Sequence, residues 1–162
     1  VDWVMKDLRI LSLNVQTMPK EYGVRFADLS KYPYRSVCLF SSHDMPTLRL
    51  WWDEDKEVAQ DYYESVLYHT GAAPHPLPGW LAREIVVRQM QTPSMLCIVQ
   101  LQDWLATDER IRQADPTNKR VNVPANPFHY WRYRMPMTIE SLKADRDFVN
   151  SIKDIVSETE RY

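Results

Sequence analysis

Glycine is nearly missing from this chain of 162 residues: Gly23, Gly71 and Gly79 are the only ones. Three scattered glycines cannot build a phosphate-cradling loop, and no glycine-rich nucleotide fingerprint is present. Long apolar runs are missing too. The longest is about five residues, against the roughly 20 that a membrane-spanning helix needs. No charge sign dominates, with 20 basic and 22 acidic residues for a net charge of −2. That balance argues against nucleic acid or a membrane surface as partner. A basic stretch leading into an apolar one with a small-residue cleavage site is also lacking at the start, so a cytoplasmic location is expected. Cysteine is limited to Cys38 and Cys97, each inside an apolar run. Both read as buried, reduced thiols acting as small hydrophobes. They lack the paired ligand spacing of a zinc site, so no metal is expected.

What is present suits one ordinary core. Hydrophobic residues make up 44% of the chain, enough for one domain and too little for two. Aromatics reach 12%, with six tryptophans. Such rings stack on the apolar C–H faces of sugars, although core packing is their commoner use. The most informative stretch is Ser42-His43-Asp44-Met45-Pro46-Thr47-Leu48-Arg49, directly after the apolar run Val37-Cys38-Leu39-Phe40. A buried strand ending in an imidazole and a carboxylate is a common way to place a polar site at the mouth of an α/β fold.

Period and punctuation predict the elements. Residues 1–9 read as the tail of an amphipathic helix with Val1, Val4, Met5 and Leu8 on one face, which suggests a fragment of something longer. Residues 11–16 alternate as a strand does, and 36–40 form a short, fully buried strand. A helix is expected over 53–69, with Asp53, Glu54 and Asp55 at its positive N-terminus and Gly71 closing it. A proline-rich loop at 72–78 leads to a helix over 80–91. A third strand follows at 95–101, apolar on both faces, and then a short helix at 104–112. Residues 114–136 have no period, and a loop that long is usually functional. From Thr138 the chain is helical, with Phe148, Ile152, Ile155 and Val156 as its buried stripe. Strands alternating with helices indicate an α/β fold with a parallel sheet. Three strands close poorly alone. They fit the last third of an eight-stranded β/α barrel, which typically needs about 250 residues.

Several separated blocks then resemble one family, the 4-α-glucanotransferases (amylomaltases or disproportionating enzymes). They are Tyr32-Pro33-Tyr34; Ser41-Ser42-His43-Asp44-Met45; Thr47-Leu48-Arg49 with Trp51-Trp52; Gln102-Asp103; Arg120, Asn122, Pro124, Ala125 and Asn126; and His129-Tyr130-Trp131-Arg132-Tyr133-Arg134. The resemblance implies that residues 1–162 are the C-terminal part of a (β/α)8 TIM barrel, about three parallel strands with flanking helices. It also implies a parent enzyme that transfers α-1,4-glucan segments by retaining double displacement. Asp44 would be the family's transition-state-stabilising carboxylate. His43, Asn122, Gln102, Asp103 and Trp131 would contact substrate. The nucleophilic aspartate, and an acid/base glutamate in a Glu-Asp-Leu-Gly segment, have no counterpart among these residues. The isolated segment would therefore be inactive. No cofactor is implied. The expected partners are α-1,4-glucans and malto-oligosaccharides, the rest of the parent barrel and, for the piece alone, further copies of itself. The sequence departs from the family pattern at Leu39-Phe40, where threonines are usual, and at Leu50, where glycine is common.

Other residues read more plainly. His69 suits a helix C-terminus, and His75 a solvated loop. His129 reads as support for its own loop. One of Trp51 and Trp52 packs against the barrel wall. Cation–π packing of Trp131, Arg132 and Arg134 would stiffen the long loop. Two other functions compete with the enzyme segment: an α-glucan-binding protein without catalysis, and a truncated interaction fragment.

Overall fold

The computed structural model describes residues 2–112 and 120–161. Helix α1 (Asp2–Asp7) leads into strand β1 (Ser12–Val15). After a 3-10 turn at Leu29–Lys31 come strand β2 (Ser36–Leu39) and helices α2 (Leu48–Glu54), α3 (Lys56–Ser65) and α4 (Gly79–Met90). Strand β3 (Leu96–Ile98) and helices α5 (Leu101–Ala106), α6 (Ile139–Ala144) and α7 (Arg146–Glu158) complete the order. The strands form one parallel sheet in the order β1-β2-β3. The α/β class and the three parallel strands are thus as expected, whereas Val1 and residues 113–119 of the expected helix and loop lie outside the described residues.

Register explains the two faces of the sheet. Asn14, Cys38 and Cys97 align across the strands on one face, and Leu13, Val37 and Leu96, then Val15, Leu39 and Ile98, align on the other. Helix α4 covers the first face, where Gln89 donates from Nε2 to the Ile98 carbonyl at 3.1 Å. Behind it lies a core of Trp52, Tyr62, Leu77, Leu81, Ile85 and Ile155. The opposite face is open in part: Leu13 is 54% exposed, Leu96 48% and Ile98 55%, while Leu39 between them is buried. Parallel sheets ordinarily bury both faces, so this apolar surface is unusual. The third strand, expected apolar on both faces over 95–101, is apolar on both but shorter. Strand β3 is only Leu96–Ile98, and among the described residues no strand lies beyond it.

The helices break where aspartate caps the backbone. The single helix expected over 53–69 is two helices divided at Asp55, whose Oδ1 accepts from the amides of Glu57 and Val58. Asp53 and Glu54 therefore close α2 instead of opening a helix. Asp145 divides α6 from α7 in the same way by accepting from the Phe148 amide. A short aspartate side chain bonds a following backbone N–H more readily than it supports a helix interior. In α7, Phe148 and Ile155 are buried, and Ile152 and Val156 half-buried. His69 lies past the end of α3, stacked on Tyr63 and bonded to Glu84 at 2.8 Å. His75 is half-buried and faces Asp53 at 3.3 Å, so it is not a solvated loop residue.

Both members of the tryptophan pair pack inward. Trp52 is fully buried, with its indole N–H on the Pro74 carbonyl at 2.9 Å, and Trp51 lies edge-on to Phe40 and Tyr62. Phe40 and Leu50 are buried apolar residues as well, so these departures from the family pattern serve the core.

Gly79 opens α4 where it meets the end of α5. A Cβ there would lie 2.9 Å from the Thr107 carbonyl oxygen, inside contact distance. Backbone cannot yield as a side chain does, so Gly79→Ala should cost about 1–3 kcal/mol. Urea melts of the two proteins measure this directly. An unchanged midpoint would mean that α4 and α5 slide apart freely.

Candidate functional site

Strand β2 ends at Leu39, and the chain turns at His43-Asp44 before α2 begins at Leu48. The turn is held at both ends. Gln100, the residue before α5, donates from Nε2 to the Ser41 carbonyl and to Ser41 Oγ, both at 2.8 Å. At the other end, Asp103 Oδ1 accepts from the Leu48 amide at 2.9 Å. Thr47, the N-cap residue of α2, makes no side-chain cap of its own. A carboxylate from another helix thus satisfies an amide that the helix start leaves open.

The long loop folds back over this turn. The Asn122 amide donates to the His43 carbonyl at 3.2 Å. Asn122 Nδ2 donates to Asp44 Oδ1 at 2.6 Å, and Asn122 Oδ1 accepts from Trp131 Nε1 at 3.0 Å. An indole N–H can only donate and a carboxylate can only accept, so the two partners fix the amide's orientation. The Trp131 ring lies 5.1 Å from that of His43, and His43 Nε2 lies 3.3 Å from Asp44 Oδ1. Arg120 Nη2 reaches both oxygens of Glu54, at 2.9 and 3.0 Å. His129 bonds the Val121 carbonyl at 3.0 Å, as its loop-supporting reading requires. Arg132 lies over Tyr130, 4.9 Å from the ring centre.

Four of the expected site residues therefore share one patch: His43, Asp44, Asn122 and Trp131. The side chains of His43 and Asp44 are about half exposed, at 54% and 49%, and Trp131 is 60% exposed. An open carboxylate beside an imidazole and a broad aromatic face can bond hydroxyls and stack on an apolar ring face. Gln102 and Asp103 stand on α5, and Asp103 bonds the Leu48 amide. They lie in the first turn of α5, not at the end of a strand as expected, and Asp103 is only 2% exposed. Sequence reasoning missed the Gln100–Ser41 and Arg120–Glu54 links, and no local motif signals either. A separate cavity of about 930 Å³ lies beside β1, lined by residues such as Met5, Ile10, Met18 and Tyr32, and holds none of the expected residues. Among the described residues no cluster of His, Cys, Asp and Glu could hold a metal, and no helix is long and apolar enough to cross a membrane.

The family model for the 4-alpha-glucanotransferases of glycoside hydrolase family 77 matches residues 1–139. The chain belongs to this family. It is 36% identical over 158 residues, 98% of its length, to the rice 4-alpha-glucanotransferase DPE2, of which it covers 17%. It is 27% identical over 128 residues to the 4-alpha-glucanotransferase of Chlamydia muridarum, covering 74% of this chain and 22% of that protein. The fold is similar to that of the amylomaltase from Streptococcus agalactiae solved in complex with acarbose, with a TM-score of 0.69 and 16% identity, over 99% of this chain and 29% of that one. The chain thus spans about a fifth of the length of these curated glucanotransferases.

Burial pushes the Asp103 carboxyl up to about 7, against the opposing hydrogen bond from Leu48. An unfolded aspartate titrates near 3.9. The folded value lies above it, so this group's contribution is fully present below about pH 4 and is lost as pH rises through about 7. The wild-type chain should melt lower at pH 8 than at pH 5. Asp103→Asn, which keeps an oxygen for Leu48, should flatten that slope. Thermal melts across this range decide it; an equal slope in both proteins would assign the pH dependence elsewhere.

Proposed function

We propose that this chain forms the end of a (β/α)8 barrel in a 4-α-glucanotransferase that moves α-1,4-glucan segments by retaining double displacement. The observation that carries this reading is the convergence of His43, Asp44, Asn122 and Trp131 beyond the carboxyl end of β2. Barrel enzymes build their sites at that end of their strands. Asp44 is the transition-state stabiliser. As positive charge grows on the sugar ring its hydroxyls acidify, and a carboxylate accepting from them binds that state better than the ground state. His43 donates to a neighbouring hydroxyl. Trp131 supplies a stacking face, and Asn122 aims the Asp44 carboxylate while remaining open to substrate. Gln102, in the first turn of α5, is a further substrate contact. Asp103 acts through the Leu48 amide, without touching sugar.

Retaining transfer needs two further carboxyl groups about 5–5.5 Å apart, a nucleophile and an acid/base. In this reading both belong to polypeptide outside the 162 residues, which also covers the open face formed by Leu13, Leu96 and Ile98. No cofactor takes part.

The deciding experiment compares the 162-residue chain and the parent enzyme with maltotriose as substrate. The parent disproportionates it and the chain alone does not; turnover by the chain at the parent's rate would refute this placement of the carboxylates. In the parent, Asp44→Asn should lower kcat by roughly 10²–10³-fold, the scale of one lost transition-state contact, at nearly unchanged stability. A parent that binds glucan but turns none over would instead favour the binding-protein reading. With its sheet face uncovered, the isolated chain should self-associate, and sedimentation tests that. A concentration-independent monomer would show that this face needs no cover.

A further inference from the structure

Two thiols meet under α4, outside the patch around Asp44. Cys38 and Cys97 are register partners on the parallel strands β2 and β3, with both side chains on the helix-covered face. Parallel neighbours lie about 4.8 Å apart, within the Cα range of about 4.4–6.8 Å that a disulfide accepts. Both sulfurs converge on one acceptor, the Gln89 carbonyl, at 3.7 Å from Cys38 and 3.8 Å from Cys97. Gln89 Nε2 donates back to Cys97 Sγ at 3.5 Å, and Thr92 Oγ1 lies 3.0 Å from Cys38 Sγ.

The surroundings favour one thiolate. The adjoining Cys97 thiol draws the Cys38 thiol below its ordinary value against the opposing effect of burial, with help from Thr92 and Ser94 and from the nearby Arg161 guanidinium. The pairing with Cys38, together with burial, pushes the Cys97 thiol up. Arg161 is anchored there by the carbonyls of Met90, Thr92 and Ser94. Cys38 is fully buried and Cys97 only half-buried, so a small reagent reaches the pair past Cys97. Low-pKa thiolates beside a resolving cysteine are the ones that oxidise reversibly.

We infer that Cys38 and Cys97 form a peroxide-sensitive dithiol that closes to an intrachain disulfide between β2 and β3. The Cys38 thiolate attacks one peroxide oxygen, the O–O bond breaks, and the departing hydroxide takes a proton to leave as water. Cys38 is then a sulfenic acid. Cys97 sulfur attacks it, the S–O bond breaks, and the hydroxyl leaves as a second water with the Cys97 proton. Two thiols thus surrender two electrons and two protons to one hydrogen peroxide, giving one disulfide and two waters. A dithiol reductant reverses it. The bond would fasten the strand that carries the His43-Asp44 turn to the strand that leads to Gln100.

The test treats the folded chain with equimolar hydrogen peroxide, alkylates the remaining thiols in denaturant, and maps the peptides by mass spectrometry. The expected product is a Cys38–Cys97 cross-linked peptide lighter by two hydrogens, restored to two alkylated thiols by dithiothreitol. It should form at least about tenfold faster than in the urea-unfolded chain, since the fold holds the sulfurs together. Cys97→Ser should yield a dimedone-trapped sulfenic acid on Cys38 and no cross-link. The inference is overturned by thiols that stay fully alkylatable, by sulfinic acid without a cross-link, by a disulfide between two chains, or by equal rates in folded and unfolded protein. The wild-type rate comparison stands even if the serine variant fails to fold.

Discussion

The hydrogen bond from the Leu48 amide to Asp103 organises the rest of the molecule. It joins residues 55 positions apart and ties the start of α2 to the first turn of α5. Each side would be worse off alone. Without Asp103 the first amide of α2 would be buried with no side-chain cap. Without the amide, Asp103 would be a carboxyl group sealed from water, and isolated buried charges of that kind cost several kcal/mol. The bond and the Gln100–Ser41 link fix the turn between β2 and α2 from both sides. His43 and Asp44 can therefore be half exposed and yet well placed, because their backbone is held by buried neighbours.

The loop over the site is held differently. Its bonds, within itself and to the turn and α2, are mostly at the surface: Asn122 with Asp44 and Trp131, and Arg120 with Glu54. Exposed bonds of this sort contribute about 1 kcal/mol or less each, while fixing one residue's backbone costs about 1–2 kcal/mol. A few contacts cannot order so long a segment unaided. Pro124, Pro127 and Pro136 lower the cost by restricting the unfolded chain, and the stacking of Arg132 on Tyr130 adds a local brace. Asn122 alone bonds His43, Asp44 and Trp131, so it joins the loop to the turn beside Asp44.

Much of this was legible in the sequence. Strand β2 and helix α4 were visible because burial and period agree there. The grouping of His43, Asp44, Asn122 and Trp131 was legible only through family resemblance, since 78 residues separate the ends of the Asn122–Asp44 bond. The breaks at Asp55 and Asp145 were not legible. Aspartate suits both a helix's first turn and its cap, and the apolar period runs across a one-residue interruption. Asp103 misled for a related reason. A carboxylate beside a strand end reads as a ligand for substrate, and only the approach of α2 from across the fold turns it into a buried cap. His69 and His75 likewise found carboxylate partners, Glu84 and Asp53, that lie 15 and 22 residues away.

On the proposed reading, the open face of the sheet and an incomplete site are one feature seen from two directions. Strand β2 sends Cys38 toward the helices, Val37 and Leu39 toward the open face, and His43-Asp44 beyond its carboxyl end. A layer of further strands that covered Leu13, Leu96 and Ile98 would run parallel to β2, as barrel closure demands. Its own carboxyl ends would then arrive beside Asp44. On the proposed reading, the closure that removes apolar surface from water is the closure that delivers the nucleophile and the acid/base. Hydrophobic burial, which is non-directional, would thereby set the spacing of three carboxyl groups, and a chain unable to bury this face would also be unable to assemble the reaction centre.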